Sequence, residues 1–458
     1  MKHYFFDKLL QNDGWKSNVS IMTQPDGTIY SIKENQERTV AHHVKGFALP
    51  GFQNAHSHAF QYAMAGLAEV HPTGQKADDF WSWRDAMYRL ALSVNPDQME
   101  AIATMLYTEM VRLGYTNVAE FHYVHHQQDG TPFDNLAEMG QRLISAAKTA
   151  GIGITLVPIF YQKGGFGMEP TEGQRRFISK DIDTYLRLLE ASSAAAKNYH
   201  LANVGIGIHS MRGVEPDVIA EIAKSGDQDL PFHIHIAEQL KEIEDAKSYL
   251  GKRPVEWLLD NVDLNDRFHL VHSTHLTDAE TDGIAASQAN VVLCPTTEGN
   301  LGDGLFPVQR FQEKQGKWSI GTDSHIGIHP LEELRLLDYG QRLTTHKRNI
   351  MTSETNGNSG DFAIEMATIT GRKAMDNFNP TYFKIGEPLN ACIIDENVPL
   401  LQACRDEHLN SSIVYSCDAS HHSGTISNGD WIVQRGAHRN IESVRENFVK
   451  TIKELKNR

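Results

Sequence analysis

Eight short runs of apolar and β-branched residues recur between residues 48 and 325, and helical patterns separate most of them. The runs are ALPGFQN, TNVAEFHYV, GITLVPIFY, NVGIGIHS, FHIHIAE, FHLVHST, ANVVLCP and WSIGTDSH. Strands that alternate with helices indicate a parallel sheet, because parallel neighbours need a long crossover connection. Eight such units in about 280 residues match the size of a closed (β/α)8 barrel. A doubly wound open sheet is the alternative, but no GxGxxG follows the first run.

The two ends of the chain have a different sequence pattern, in which short strand candidates are separated by turn residues. SNVSIMTQ and GTIYSIKE flank a turn at Pro25-Asp26-Gly27, and FKIGEPLNACIIDEN, SSIVYSC and TISNGDWIVQRG resume this pattern near the other end. We therefore predict an α/β fold, in which a TIM-like barrel over residues 48–377 carries a small β-sandwich domain built from residues 1–47 and 378–435. Residues 436–458 are predicted to form a C-terminal helix. The other predicted helices are 96–113, 135–150, 174–194, 216–224, 278–286 and 362–375.

Charge and composition exclude several functional classes. With 43 Lys+Arg against 58 Asp+Glu, the net charge is −15, and no basic stripe is present to bind nucleic acid. An anionic small molecule stays possible, because a few local arginines can reverse the field inside a cleft. The four cysteines form no CxxC pair, and no run approaches the ~20 apolar residues that span a bilayer. We expect a cytoplasmic enzyme that binds neither nucleic acid nor membrane.

The first barrel strand runs into Asn54-Ala55-His56-Ser57-His58. Residues i and i+2 of an extended chain point to the same face, so His56 and His58 project together. Such a pair can equally be one packed and one exposed histidine. Its position favours function, because the catalytic residues of barrels lie at the carboxyl ends of strands.

Three further strand ends carry residues of the same kind. Strand five supplies His235 and then Glu238, strand six ends at His272, and strand eight ends at Asp323. One such residue is often only structural, but four strand ends together favour a common site. Three imidazoles and a carboxylate suit zinc or another first-row metal, which lowers the pKa of a bound water to about 7.

These residue types suit hydrolysis at a polar carbon. Asp323 can bind the metal and accept the proton of the water, and Glu238 can move protons to a leaving group. His272, if it is not a ligand, can orient the attacking oxygen and stabilise developing charge.

The motifs HSH, HIHIAE, LVHST and GTDS resemble those of the amidohydrolase superfamily of barrel hydrolases. The resemblance covers essentially the whole chain, including the split β domain. The HxxE of His235 and Glu238 is similar to the mononuclear deaminase branch, which implies one divalent metal ion. Binuclear members commonly add a lysine from strand three or four; strand four has none here, and Lys163 lies beyond strand three.

Within this superfamily the chain resembles most closely the formimidoylglutamate deiminase family of bacterial histidine degradation. The segments that carry the resemblance are GFQNAHSHAFQYAMAGLAE, FWSWRDAMYRL, AEFHYVHH and GTDSHIGIHPLEELRLLDYGQRL. It implies hydrolysis of N-formimidoyl-L-glutamate to N-formyl-L-glutamate and ammonia. The ligand types suit one divalent metal ion, which we expect to be Zn²⁺, with Fe²⁺ as the alternative. The resemblance also implies metal ligands His56, His58, His235 and Asp323, catalytic residues Glu238, His272 and Asp323, and substrate contacts Gln61, Arg84, Tyr123, His209 and Arg212. Related barrels are often dimers, so a homodimer is expected.

The two carboxylates of that substrate fit Arg84 and Arg212, because guanidinium binds carboxylate in a bidentate manner. Alternatively, Arg84 pairs with Asp85 or another surface acid, and Tyr123 only packs. The arginines favour a dianionic aliphatic substrate over the second hypothesis, a deaminase of a purine, pyrimidine or triazine. A third hypothesis, a barrel retained as a non-enzymatic scaffold, predicts lost ligands, whereas all of them are present.

Two other clusters near these motifs are expected to lie outside the metal site. His122, His125 and His126 are interpreted as a solvated loop after strand two rather than a second metal site. Trp81 and Trp83 can form a lid wall, although ordinary packing is the commoner role of aromatic residues between elements.

Overall fold

The computed structural model describes residues 1–38, 42–69 and 80–455, without the side chains of residues 80–82 and 225. The strands are β1 (Lys2–Gln11), β2 (Gly14–Thr23), β3 (Ile29–Lys33), β4 (His42–Pro50), β5 (Phe52–Ser57), β6 (Tyr115–His122), β7 (Gly153–Phe160), β8 (Ala202–Val204), β9 (Ile206–Ser210), β10 (Phe232–Ile236), β11 (Phe268–His272), β12 (Asn290–Leu293), β13 (Lys317–Ile320), β14 (Ala391–Ile394), β15 (His422–Ser427), β16 (Asp430–Gln434) and β17 (Ala437–His438).

The helices are α1 (Phe80–Ser93), α2 (Pro96–Arg112), α3 (Glu138–Ala150), α4 (Ile182–Ala196), α5 (Pro216–Ser225), α6 (Leu240–Leu250), α7 (Pro254–Asn261), α8 (Asp278–Ser287), α9 (Pro295–Leu301), α10 (Val308–Glu313), α11 (Pro330–Thr345), α12 (Ser359–Glu365), α13 (Gly371–Lys373), α14 (Pro399–Gln402), α15 (Asp406–Ser416) and α16 (Ile441–Glu454). Short 3₁₀ segments occur at Ala59–Met64, Glu172–Gln174 and Ala419–His421, and a π-helical turn at Met366–Thr370 joins α12 to α13.

The larger sheet is the barrel, in the order β5-β6-β7-β9-β10-β11-β12-β13, with β8 paired to β7. Its strand pairs are all parallel. The ends of the first and eighth strands meet, since the Thr322 amide donates to the His56 carbonyl at 3.1 Å and the His58 amide to the Asp323 carbonyl at 3.1 Å. The predicted (β/α)8 barrel is confirmed.

The barrel strands are buried on both faces, because side chains fill the interior and helices cover the outside. Every residue of β7, GITLVPIF, is buried, which is typical of a parallel strand between two apolar layers. Helix α2 begins at a capping box: the Asn95 side chain accepts from the Gln98 amide, and the Gln98 side chain accepts from the Asn95 amide in return.

The second sheet has eight strands, in the order β17-β16-β15-β14-β4-β1-β2-β3, and both ends of the chain contribute to it. It has a core of its own, which includes Tyr4, Phe6, Val19, Ile393 and Ile426. This sheet fits the predicted small β-sandwich domain. Strand β4 leads directly into β5 of the barrel, so the boundary after residue 47 falls inside β4, and all the domain boundaries stay predictions.

Two terminal elements differ from the sequence interpretation. The run SSIVYSC, interpreted as part of the β domain, lies in helix α15 up to Ser416, and the buried residues of that helix include Leu409, Ile413 and Val414. A short apolar run has no periodicity that separates a strand from a buried helical segment. Strand β1 is absent from the strand candidates, because its apolar residues form the runs Tyr4-Phe5-Phe6 and Leu9-Leu10 instead of alternating with polar ones.

The helix predicted over residues 174–194 begins later, at Ile182, where Asp181 caps it by accepting from the Thr184 amide. The preceding loop is held by Arg176, a buried guanidinium that donates to the carbonyls of Ala91, Val94 and His126. The predicted helices at 362–375 and 436–458 correspond to the α12–α13 segment and to α16.

Candidate active site

Three histidine side chains converge at the carboxyl end of the barrel. Nε2 of His56 lies 3.1 Å from Nε2 of His58 and 3.0 Å from Nε2 of His235. All three rings are buried; His56 lies on β5, His235 lies on β10, and His58 directly follows Ser57, the last residue of β5. The same-face placement expected of the HSH pair thus brings both rings to one point, where His235 arrives from across the barrel.

The hydrogen bonds of the opposite ring nitrogens set the tautomers. Nδ1 of His58 lies 2.7 Å from the Phe121 carbonyl, and Nδ1 of His235 lies 3.0 Å from the His209 carbonyl. Because a carbonyl only accepts, both Nδ1 atoms donate and the neutral rings direct Nε2 lone pairs at His56. Three basic nitrogens facing one another fit a divalent cation.

Asp323 completes this group. Its Oδ1 lies 3.2 Å from Nε2 of His58 and 3.5 Å from Nε2 of His56. Burial disfavours the charged carboxylate, but the hydrogen bond to His56 and the neighbouring imidazoles lower the pKa of Asp323 below its usual range. Asp323 forms an isolated parallel bridge with Ser57, the last residue of β5. Its φ of 46° then turns the backbone away from the strand direction.

His272 lies between three carboxylates. Its Nε2 is 3.8 Å from Glu238 Oε1 and 3.7 Å from Asp323 Oδ2, and its Nδ1 is 3.3 Å from Glu298 Oε1. Burial opposes a charge on the ring, but Glu238, Glu298 and Asp323 raise the pKa of His272 to about 10. Burial also raises the pKa of Glu238, against the opposing effects of His272 and Arg212. The carboxyl can therefore carry a proton closer to neutral pH than an exposed glutamate.

A cavity of about 660 Å³ opens onto this group, and His58, His235, Glu238, His272 and Asp323 line its base. The five residues predicted as substrate contacts also line it: Gln61, Arg84, Tyr123, His209 and Arg212. Whether they contact substrate stays a prediction.

The polar lining of the cavity is partly ordered by its own hydrogen bonds. The Gln61 amide donates to the Tyr123 hydroxyl at 2.9 Å, and Arg212 Nη2 lies 3.3 Å from Glu238 Oε2. Arg84, on α1, stands 5.4 Å from the Tyr88 ring centroid. Arg84 and Arg212 thus line the same cavity as the histidine–aspartate group.

Sequence reasoning missed Tyr161 and Glu298. Tyr161 lines the cavity, accepts from the Gln174 amide at 2.6 Å and has its ring centroid 4.0 Å from that of His209. Its signal was available, because Tyr161 directly follows the third barrel strand as Tyr123 follows the second. Glu298 gave no such signal, since it lies inside the short helix α9.

The interpretation of the His122 cluster as a solvated loop is wrong. His122, His125 and His126 are all buried; Nε2 of His125 lies 2.9 Å from the Ile159 carbonyl, and Nε2 of His126 lies 2.8 Å from the Ile178 carbonyl. Lys163 pairs with Glu215 at 3.2 Å and does not line the cavity. Trp83 does line it, whereas the Trp81 side chain is outside the described residues.

A closed barrel with a histidine–aspartate group at its carboxyl end defines a class of metal-dependent hydrolases. The model of the amidohydrolase family matches residues 47–431, and the chain belongs to this family. Enzymes of this family are metal-dependent hydrolases, and the group of His56, His58 and His235 can bind a metal.

Two relatives align over nearly the whole chain. A formimidoylglutamate deiminase from Pseudomonas aeruginosa is 40% identical over 456 residues, which cover 99% of this chain and 100% of the relative. The crystal structure of an amidohydrolase from Brucella melitensis is 39% identical and superposes with a TM-score of 0.93, covering 99% of this chain and 100% of that one.

More distant proteins share the architecture. A 5-methylthioadenosine/S-adenosylhomocysteine deaminase from Haloarcula marismortui is 23% identical over 394 residues, covering 85% of this chain and 82% of the relative. An adenosine deaminase from Xanthomonas campestris with bound zinc has a TM-score of 0.81 at 18% identity, covering 100% and 98% of the two chains. At that identity the likeness concerns the fold alone.

Among the described residues no helix is long and apolar enough to span a membrane.

Proposed function

We propose that this chain hydrolyses N-formimidoyl-L-glutamate to N-formyl-L-glutamate and ammonia. The observation that carries the proposal is a single cavity lined by the imidazole–carboxylate group and by Arg84 and Arg212. The whole-length similarity to a formimidoylglutamate deiminase supports the same substrate. In the reaction the oxygen of water adds to the amidine carbon, and the terminal nitrogen leaves as ammonia.

His56, His58, His235 and Asp323 would hold the cation. When bound, a divalent cation supplies Lewis acidity and makes a water nucleophilic at neutral pH. We propose zinc, with iron(II) as the alternative, because both suit imidazole and carboxylate ligands. Elemental analysis of protein purified without added metal tests this choice.

Asp323, Glu238 and His272 transfer protons or stabilise charge in the proposed reaction. Asp323 accepts a proton from the attacking water. Its carboxylate lies beside the proposed ligand His58 at the base of the cavity, so it would adjoin a water held by the cation. Glu238 carries a proton to the departing nitrogen, and His272, 3.8 Å from Glu238, stabilises charge that develops on the attacking oxygen.

The arginines bind the two carboxylates of the glutamate moiety. Arg212 has five N–H donors, so a guanidinium whose Nη2 lies 3.3 Å from Glu238 can also hold a substrate carboxylate. This arrangement ties the position of the substrate to that of Glu238. Arg84 lies on α1 and lines the same cavity.

Ammonia release tests the reaction. Metal-loaded protein is incubated with N-formimidoyl-L-glutamate in ¹⁸O-labelled water, with chelated protein as the control. We expect equal amounts of ammonia and N-formyl-L-glutamate, with the label in the formyl oxygen. Formamide and glutamate as products would overturn the proposal.

A heterocycle deaminase is the second candidate, favoured by aromatic side chains in the cavity wall, among them Trp83, Tyr88, Phe166 and Phe177. Flat rings stack on such walls. Assay of purines, pyrimidines and triazines beside the amidine separates the two candidates, because only one class should release ammonia.

We further propose a cytoplasmic homodimer. The apolar residues Leu336, Tyr339 and Leu343 are exposed along α11, which supports a contact between two copies. All four cysteines are free, which suits a reducing compartment. Light scattering that gives twice the mass of the chain, and fractionation of the source cells, test these two points.

A further inference from the structure

A second group of possible metal ligands lies beside the first. His272, Cys294 and Asp323 each offer one ligand atom, and these atoms lie within 4.8 Å of one another. All three residues are buried. Cys294 follows β12, so the seventh barrel strand contributes a sulfur atom next to the ends of the sixth and eighth.

Asp323 stands between the two groups and uses a different oxygen toward each. Its Oδ1 lies 3.2 Å from Nε2 of His58, whereas its Oδ2 lies 3.7 Å from Nε2 of His272. A carboxylate in this position can bridge two cations, with one oxygen bound to each. The two groups are therefore adjacent positions that share one ligand.

We propose that His272, Cys294 and Asp323 form a second cation site, selective for a thiophilic divalent cation such as Cd²⁺ or excess Zn²⁺. One sulfur, one imidazole nitrogen and one carboxylate oxygen suit these soft or borderline ions and not Mg²⁺ or Ca²⁺. On binding, the sulfur, an imidazole nitrogen and a carboxylate oxygen each form a bond to the cation, the protons of the Cys294 thiol and of His272 Nε2 pass to solvent, and no group is oxidised or reduced.

The surroundings attract a second positive charge. Glu238 and Glu298 approach His272 to 3.8 and 3.3 Å, and the same Glu298 Oε1 accepts from the Cys294 amide at 2.9 Å. That hydrogen bond fixes the backbone from which the sulfur projects. Two further carboxylates thus lie at the edge of the site and offset the charge of an entering cation.

Occupation of this site stops the reaction, an effect that rests on the proposed function. His272 and Asp323 are the groups assigned there to charge stabilisation and to proton acceptance. A cation bound to both removes them from catalysis. The site therefore makes the enzyme sensitive to inhibition by cadmium and by zinc beyond one equivalent.

Cadmium titration of the chelated full-length chain tests the proposal by equilibrium binding, near-ultraviolet absorption and ammonia release. We expect two equivalents to bind, with a thiolate-to-cadmium charge-transfer band and loss of activity arising only with the second. Binding of one equivalent, or of a second without the band, overturns the proposal.

Variants assign the sulfur. Cys294→Ser should lower the affinity for the second cadmium ion about tenfold or more and remove the charge-transfer band. Cys404→Ser, which changes a partly exposed thiol, should leave the affinity and the band as in the parent protein. A band that survives in Cys294→Ser contradicts the assignment. If the serine variant fails to fold, ¹¹³Cd resonances of the unaltered protein report sulfur ligation directly, and two resonances without a sulfur ligand overturn the site.

Failure of this site and failure of the proposed function are distinguishable. If one-equivalent protein releases ammonia from the amidine but takes up no second cation, the site is wrong and the function stands. If one-equivalent protein releases no ammonia while the second equivalent still gives the sulfur band, the function is wrong and the site stands.

Discussion

Glu298 Oε1 lies 3.3 Å from Nδ1 of His272, across the ring from the Nε2 atom that faces Glu238 and Asp323. Glu298 is buried, and the same oxygen accepts from the Cys294 amide. An Nδ1–H donated to Glu298 directs the other nitrogen of the ring into the cavity. Glu298 therefore acts as a positioning residue, since it reaches the reacting atoms only through His272.

Replacing Glu298 separates its hydrogen bond from its charge. Glu298→Gln keeps an acceptor for Nδ1 and should lower kcat by about tenfold or less, whereas Glu298→Leu should lower it by about 100-fold, with KM little changed in both. Steady-state kinetics on N-formimidoyl-L-glutamate measure this split. Glu313→Gln, which neutralises an exposed glutamate, is the control. Equal losses in the glutamine and leucine variants would contradict the hydrogen-bond role.

Arg84 should contribute to binding more than to turnover. Arg84→Ala removes a charged contact worth about 1.5–3 kcal/mol, so KM should rise by about one to two orders of magnitude, and Arg84→Lys should recover part of the loss. Arg89→Ala on the same helix, at an exposed position, is the matched control. An unchanged KM in Arg84→Ala means that this arginine does not bind substrate.

Removal of the cation should destabilise the protein as well as inactivate it. The buried Nε2 atoms of His56, His58 and His235 face one another, so their lone pairs repel whenever no cation is bound. When the free zinc concentration is 100 times its Kd, binding of zinc stabilises the native state by about 2.7 kcal/mol. Calorimetry with and without one equivalent of zinc checks the shift in Tm, and His58→Ala should abolish it. An identical Tm in the loaded and chelated parent protein would refute binding at this group.

Glu120 should make stability depend on pH. Its side chain accepts from the Ser57 hydroxyl and the Ala59 amide, each at 2.6 Å, and burial raises its pKa from 4.5 to about 7. A carboxyl with a raised native pKa contributes stability below pH 4.5 that is lost as the pH rises through about 7. The loss is about 3 kcal/mol.

Urea unfolding of the chelated protein between pH 4.5 and 8 measures this slope. Glu120→Gln, which mimics the protonated acid, should flatten it. The exposed Glu313→Gln should keep the parent slope. A slope in Glu120→Gln equal to that of the parent protein would show that another group is responsible.

The strand ends were predictable because a regular periodicity governs them. The two-residue spacing of His56 and His58, and the position of His235 within FHIHIAE, follow from alternation along an extended chain. Burial of a loop obeys no such rule. His125 and His126 look like solvated residues until the segment around Ile159 and Ile178 supplies carbonyls to them.

Glu298 and Cys294 were unpredictable for a related reason. Glu298 lies 3.3 Å from His272 and the Cys294 ligand atom lies within 4.8 Å of that of His272, but neither residue belongs to the strand of His272, and a helix or strand pattern does not specify the neighbour of a buried polar group. By contrast, Tyr161 repeats the position of Tyr123 after the preceding strand, so a comparison of equivalent strand ends can find it.

The pairing that closes the barrel also delivers Asp323 to His56 and His58. The hydrogen bonds that join the first and eighth strands are made by His56, His58 and Asp323 themselves and by Thr322, the neighbour of Asp323. Consequently the ligand set is incomplete until the last barrel strand has left the ribosome and docked against the first. A nascent chain truncated before β13 should hold a cation weakly, and cation capture then reports completion of the barrel rather than the start of its folding.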